Sequence, residues 1–124
     1  MGNKTDYKVI KPKQGNEITF QIKGKVDIFQ PPMEREIESL ISKMKPKKGD
    51  EPSEVVIDCS QLMLKNTDTT NLLIYFLEEF INSKLRRNGI SCSRIVADDS
   101  FGKILSQKGL ERLIDIRLEN SGSV

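Results

Sequence analysis

Histidine is absent from this chain, and that absence excludes a large part of ordinary enzyme chemistry. It removes serine and cysteine nucleophiles activated by an imidazole, phosphohistidine relays, and histidine-ligated zinc or non-haem iron. Cysteine is scarce, with Cys59 and Cys92 the only two. Two separated cysteines cannot build a cysteine-rich metal site, and they fit reduced, buried thiols near strand ends better than a disulfide framework. Charge of one sign is lacking too. Charged residues make up 31% of the chain, but the formal net charge is only +2. No strong field therefore draws the chain to nucleic acid or an anionic membrane. No apolar stretch approaches the length of a membrane span, and the N-terminus lacks a signal peptide's hydrophobic core. The expectation is a soluble, cytoplasmic protein without membrane insertion. Carboxylate or lysine chemistry survives these exclusions, but no motif singles it out. Gly24 and Gly49 are isolated and build no phosphate-cradling loop.

At 124 residues the chain is long enough for one packed core and not for two. One domain, 1–124, is expected, with residues 1–6 and 119–124 as frayed tails. Residues 7–10 form a short strand candidate. Gln14-Gly15-Asn16 is a turn signal, and residues 17–23 then alternate, with Ile18, Phe20 and Ile22 on one side. Gly24-Lys25-Val26-Asp27 is expected to end that strand. Pro31 and Pro32 pre-set a helix start. Met33, Ile37, Leu40, Ile41 and Met44 trace its apolar face, and Pro46 stops it. Residues 45–53, KPKKGDEPS, hold a small basic cluster but no hydrophobic anchor, and predict a mobile surface loop.

Residues 55–81 are the centre of the pattern. Val55, Val56 and Ile57 are contiguous and β-branched, as in a strand buried on both faces, and Asp58 ends the run. Asn66 to Asn71 carry short polar side chains. Helical spacing follows at Leu72, Leu73, Phe76, Leu77, Phe80 and Ile81, with Leu72, Phe76 and Phe80 expected in the core and Glu78 and Glu79 in solvent. This second helix spans residues 67–87, with Asn88-Gly89 as a left-handed C-cap. Asn66, Thr67 and Asp68 are all good N-cap types. The stretch therefore aims free amides and the positive end of a helix dipole at one spot beside a sheet. Residues 90–97 give another strand. Asp98, Asp99 or Ser100 caps a short helix closed by Gly109, and residues 114–118 form a last strand. Two adjacent aspartates without further ligands make capping a better reading than metal binding. The element order is β-β-α-β-α-β-α-β, an α/β fold with a mainly parallel mixed sheet.

The sequence of an aliphatic strand, Asp58-Cys59-Ser60, a short gap and a hydroxyl-rich turn opening a long helix resembles the STAS domain of bacterial anti-sigma factor antagonists. In that family the strand ends in Asp-Leu-Ser and the helix opens on Asp-Ser-Ser-Gly-Leu. Here Asn66-Thr67-Asp68-Thr69-Thr70 stands in place of the second motif, and Gly24-Lys25-Val26-Asp27 resembles the family's Gly-x-aliphatic-Asp segment. The likeness spans roughly residues 17–118 and implies helices mostly on one side of the sheet. It also implies a non-enzymatic module without a cofactor, whose protein partner is a serine/threonine kinase that is also an anti-sigma factor.

By this resemblance Thr67 occupies the phosphoacceptor slot. Gly24, Val26, Asp27, Asn66, Thr67, Asp68 and Thr69 form the partner-binding set. A bland reading stands beside this one: Thr67 caps the helix and Asp68 merely complements its dipole. Asp58 and Ser60 read as structural, closing a turn. The replacement of Asp-Ser-Ser-Gly-Leu leaves open a scaffold or transport-complex subunit that is not phosphorylated. A second copy of the chain is also admissible as a partner.

Overall fold

The computed structural model describes residues 5–12, 17–26, 29–46, 54–64, 67–97, 99–107, 109–110 and 115–118. The fold is α/β. Its elements run β1 (Asp6–Ile10), β2 (Glu17–Val26), α1 (Glu34–Met44), β3 (Glu54–Asp58), β4 (Leu62–Leu64), α2 (Thr67–Glu79), a π-helical turn (Phe80–Leu85), β5 (Ser91–Ala97), α3 (Asp99–Gln107) and β6 (Asp115–Leu118). The mixed sheet is ordered β1-β2-β3-β5-β6, with β4 attached to β2. β1 and β2 are antiparallel, from Asp6 opposite Lys23 to Ile10 opposite Thr19. The pairings β2–β3, β3–β5 and β5–β6 are parallel.

The alternation in β2 places Ile18, Phe20 and Ile22 in the core, while Val55, Val56 and Ile57 of β3 are all buried. Thr5 is only 5% exposed, and β1 starts at Asp6. Both residues therefore belong to the fold and not to a frayed start. The hairpin turn at 13–16 and the loop segment 47–53 lie outside the described residues. β5 carries an irregularity opposite Val55 and Val56, where the Ser93 hydroxyl donates to the Val55 carbonyl at 3.4 Å.

Two helix expectations need correction. Met33 is 78% exposed and does not join the apolar face of α1. It sits at the N-cap with extended backbone, φ −70° and ψ 160°, so its side chain leaves the helix axis before the apolar stripe begins. Ile37, Leu40, Ile41 and Met44 form that stripe as expected. Lys45 is extended, with φ −63° and ψ 141°, because the ring of Pro46 disfavours helical backbone in the residue before it. In α2 Leu72 is misplaced, at 50% exposure. Phe76 and Glu78 are half-buried, so neither the core nor the solvent assignment holds fully for them. Phe80 is buried and Glu79 exposed as expected. The buried residues are Leu73, Ile74 and Leu77. Residues 72 to 77 are all apolar, so spacing alone cannot select the inner face, and the packing chooses one residue further on.

Phe80 links both sides of the core. Its ring centroid lies 5.2 Å from Phe20 on β2 and 5.3 Å from Phe76 on α2. Phe76 also meets Phe29 at 5.7 Å, and Tyr7 stacks on Phe20 at 6.0 Å. The π-helical turn starts at Phe80 and keeps Phe80, Ile81 and Leu85 buried. It also carries Lys84 to Glu34 at the start of α1, 3.2 Å away. The helix closes on Gly89, whose φ of +70° suits glycine. The Ile90 amide donates back to the Leu85 carbonyl at 3.0 Å and the Gly89 amide to Arg86 at 3.2 Å, a Schellman-type ending.

Burial fixes the expected cost of truncation. Phe80→Ala should lose about 3–5 kcal/mol in chemical denaturation, whereas Leu72→Ala should lose less than about 1 kcal/mol. Equal losses would mean that the inner face of α2 is assigned to the wrong residues.

Candidate functional site

The chain leaves β3 at Asp58 and returns to the same edge of β2 at Leu62. Asp58 is opposite Gln21 and Leu62 is opposite Gly24. Cys59, Ser60 and Gln61 therefore span the distance that Ile22 and Lys23 cover on β2. The extra residue is taken up as in a β-bulge. Asp58 organises the turn: its Oδ1 accepts the Ser60 amide at 2.9 Å and the Ser60 hydroxyl at 2.6 Å. The Cys59 amide donates sideways to the Val96 carbonyl of β5 at 2.8 Å, and the Leu62 amide donates to the Cys59 carbonyl at 3.1 Å. The structural reading of Asp58 and Ser60 holds.

β4 was not legible as a strand, and it corrects the expected end of β2. β2 continues through Gly24 and Lys25 to Val26, because β4 offers it a parallel partner there, with Gly24 opposite Leu62 and Val26 opposite Leu64. The Gly24 amide donates to the Gln61 carbonyl at 3.2 Å. Gly24 has φ +138°, in a region that side chains with a Cβ rarely adopt.

This pairing brings the sequence-predicted residues to one corner. Gly24 and Val26 lie on the last turns of β2, beside β4. Thr67, Asp68 and Thr69 form the first turn of α2, which begins only three positions after Leu64. Asp27 and Asn66 lie outside the described residues. Thr70 is buried, which removes it as an accessible hydroxyl. Exposed apolar residues that sequence reasoning did not single out as such are Met63 on β4, 56% exposed, and, on α2, Tyr75 and Leu72, 70% and 50% exposed. The three-residue length of β4 hides the first from any periodicity. The second pair was masked by the unbroken apolar run of α2.

The thiols are held unreactive. Cys59 is buried and Cys92 half-buried, and both are free. Burial, then the neighbouring Asp58 carboxylate, pushes the Cys59 thiol far up. Burial pushes Cys92 from 9.0 to about 12. Burial and then Glu36 also raise the phenol of Tyr7, whose hydroxyl donates to the Gln30 carbonyl at 2.6 Å. Among the described residues, no group of three or more histidine, cysteine or acidic residues is placed to hold a metal ion, and no helix is long and apolar enough to cross a membrane.

The fold thus defines an α/β domain with a corner built from β2, β4 and the start of α2. No protein-family model matches the chain, and a search of curated proteins finds no match.

Two outcomes follow from this geometry. Gly24→Ala should strain the β2–β4 pairing and cost about 1–3 kcal/mol, with faster hydrogen exchange at the Gly24 amide. Unchanged stability and exchange would show that the backbone there tolerates a side chain. The raised thiols and phenol hold their protons more tightly folded than unfolded. Their stabilisation is complete below the ordinary thiol value of 9.0 and is lost as pH rises toward about 12. Melting temperature should therefore fall across that alkaline window. A flat profile from pH 8 to 11 would contradict the burial of these groups.

Proposed function

We propose that the protein is a non-enzymatic, cytoplasmic partner-binding module of the anti-sigma factor antagonist kind, switched by phosphorylation at Thr67. The supporting observation is the β2–β4 pairing, which sets Gly24 and Val26 beside the opening of α2. Those positions lie more than forty residues apart in sequence and belong to the same motif set that the STAS resemblance implies. In this reading the unmodified corner binds a serine/threonine kinase that is also an anti-sigma factor. The corner supplies backbone and a hydroxyl, and exposed Met63, Leu72 and Tyr75 add apolar contact around it.

Phosphorylation of Thr67 would add about −1.5 to −2 charges at the first turn of a helix. The new group gains from the helix dipole, so it is well tolerated by the free protein. The kinase surface must desolvate the same spot, so the complex is lost. The burial of Thr70 directs a kinase toward the earlier hydroxyls of the turn.

The test is phosphorylation with the cognate kinase and ATP, followed by site mapping. Wild type should be modified at Thr67, and Thr67→Ala should stay unmodified while still binding the kinase. Thr67→Glu should bind more weakly, though a carboxylate copies a phosphate only in part. Phosphate mapped to Thr69, Thr70 or Ser60 would refute the site. Binding by a transporter or a large self-assembly, with no kinase acting, would establish the scaffold reading.

A further inference from the structure

Asn88-Gly89 is the one asparagine–glycine pair in the chain, and it closes the helix that α2 and the π-helical turn form. Asparagine is chemically labile in proteins, most of all before glycine. A residue without a side chain leaves its backbone nitrogen open to the preceding side-chain carbonyl. The Gly89 nitrogen gives up its proton and bonds to Asn88 Cγ, the Cγ–Nδ2 bond breaks, and ammonia leaves with that proton. Water then opens the cyclic imide at either carbonyl, leaving aspartate or isoaspartate.

The helix end holds both reacting groups away from this step. Asn88 Nδ2 donates to the Lys84 carbonyl at 2.7 Å, which turns the side chain back along the helix. The Gly89 amide donates to the Arg86 carbonyl at 3.2 Å, and the flanking Asn88 and Ile90 amides both donate to the Leu85 carbonyl at 3.0 Å. The proton that must leave Gly89 is therefore engaged. Access is otherwise open, because Gly89 is exposed and a side chain there would meet no atom within 4 Å. Arg86 and Arg87 are exposed on the two preceding residues, and their charge favours the nitrogen anion once the cap has opened.

We propose that Asn88 is a deamidation site gated by this helix cap, whose product prevents the cap from closing again in full. An ionised carboxylate at position 88 has no hydrogen to donate to the Lys84 carbonyl. It also lies at the negative end of a helix, where an anion is disfavoured, although Lys84, Arg86 and Arg87 offset part of that charge. Isoaspartate lengthens the backbone just before Gly89, whose φ of +70° sets the return of the Ile90 amide to Leu85. Ile90 is 3% exposed and leads directly into β5, so the change is passed to the sheet. The site is at the other end of the helix from Thr67 and does not rest on the partner reading.

The test incubates the full chain at one mildly alkaline pH, folded in buffer and in parallel unfolded in guanidinium chloride. Peptide mass spectrometry follows residue 88, with aspartate and isoaspartate separated by chromatography. Conversion should be at least about tenfold slower in the folded chain. Its rate should match, within a few-fold, the unfolded rate multiplied by the open fraction read from hydrogen exchange at the Gly89 and Ile90 amides. Ile90→Ala, or the milder Ile90→Val if the first does not fold, loosens the cap and keeps the asparagine–glycine pair. It should speed conversion of the folded chain and leave the unfolded rate unchanged. The purified product should exchange the Ile90 amide faster than the parent chain. Equal rates folded and unfolded overturn the proposal. So does a folded variant whose Ile90 amide exchanges faster while Asn88 converts no faster, or a product that exchanges that amide as slowly as the parent.

Discussion

The constraint on which the molecule depends is the pairing of β2 along both of its edges. One edge takes β1 in antiparallel register, and the other takes β3 and then β4 in parallel register. β2 can serve two successive partners because it is ten residues long, twice the length of β3. The chain between those partners is short, and its polar groups are satisfied locally. Asp58 accepts two hydrogen bonds from Ser60, and Cys59 reaches across to β5. Ser60 and Gln61 are exposed, so the one turn amide that must find a protein partner is that of buried Cys59, and it finds the Val96 carbonyl. The aspartate and serine fix the local shape of the turn between the two pairings.

Consequences for function follow from where that restart ends. β4 finishes at Leu64 and α2 begins at Thr67, so the helix start is delivered to the end of β2 whatever the partner. Below it, Phe80 packs between Phe20 and Phe76 and holds α2 against the sheet. Met63 on β4 and Leu72 and Tyr75 on α2 are exposed. A partner-binding module needs such a combination: pre-organised backbone, with apolar side chains available for contact.

Much of this fold can be read from residue pattern. The alternation Ile18-Phe20-Ile22, the β-branched run Val55-Val56-Ile57 and the Asn88-Gly89 ending each have a single local physical cause, and the structure agrees with all three. The failures share a different cause. Leu72 was expected inside because α2 is apolar through six consecutive positions, and only tertiary packing chooses among them. Met33 fits the helical spacing but precedes the first helical residue, so spacing says nothing about where its side chain goes. β4 is three residues long, too short for a period of two to register, and it exists only because the end of β2 is there to pair with it. The candidate site was legible as two separated motifs. Their juxtaposition was not, since the strand that joins them is the one that no local pattern reveals.

The proposal that this corner is one binding surface is tested most directly by amide spectra of the isotopically labelled protein, titrated with a protein partner captured on it from its own cell. The account predicts simultaneous shifts or broadening at Gly24 and Val26 on β2, at Met63 on β4, and at Thr67 to Tyr75 on α2. Perturbations confined to α3 and β6, or to only one of the two motifs, would contradict it.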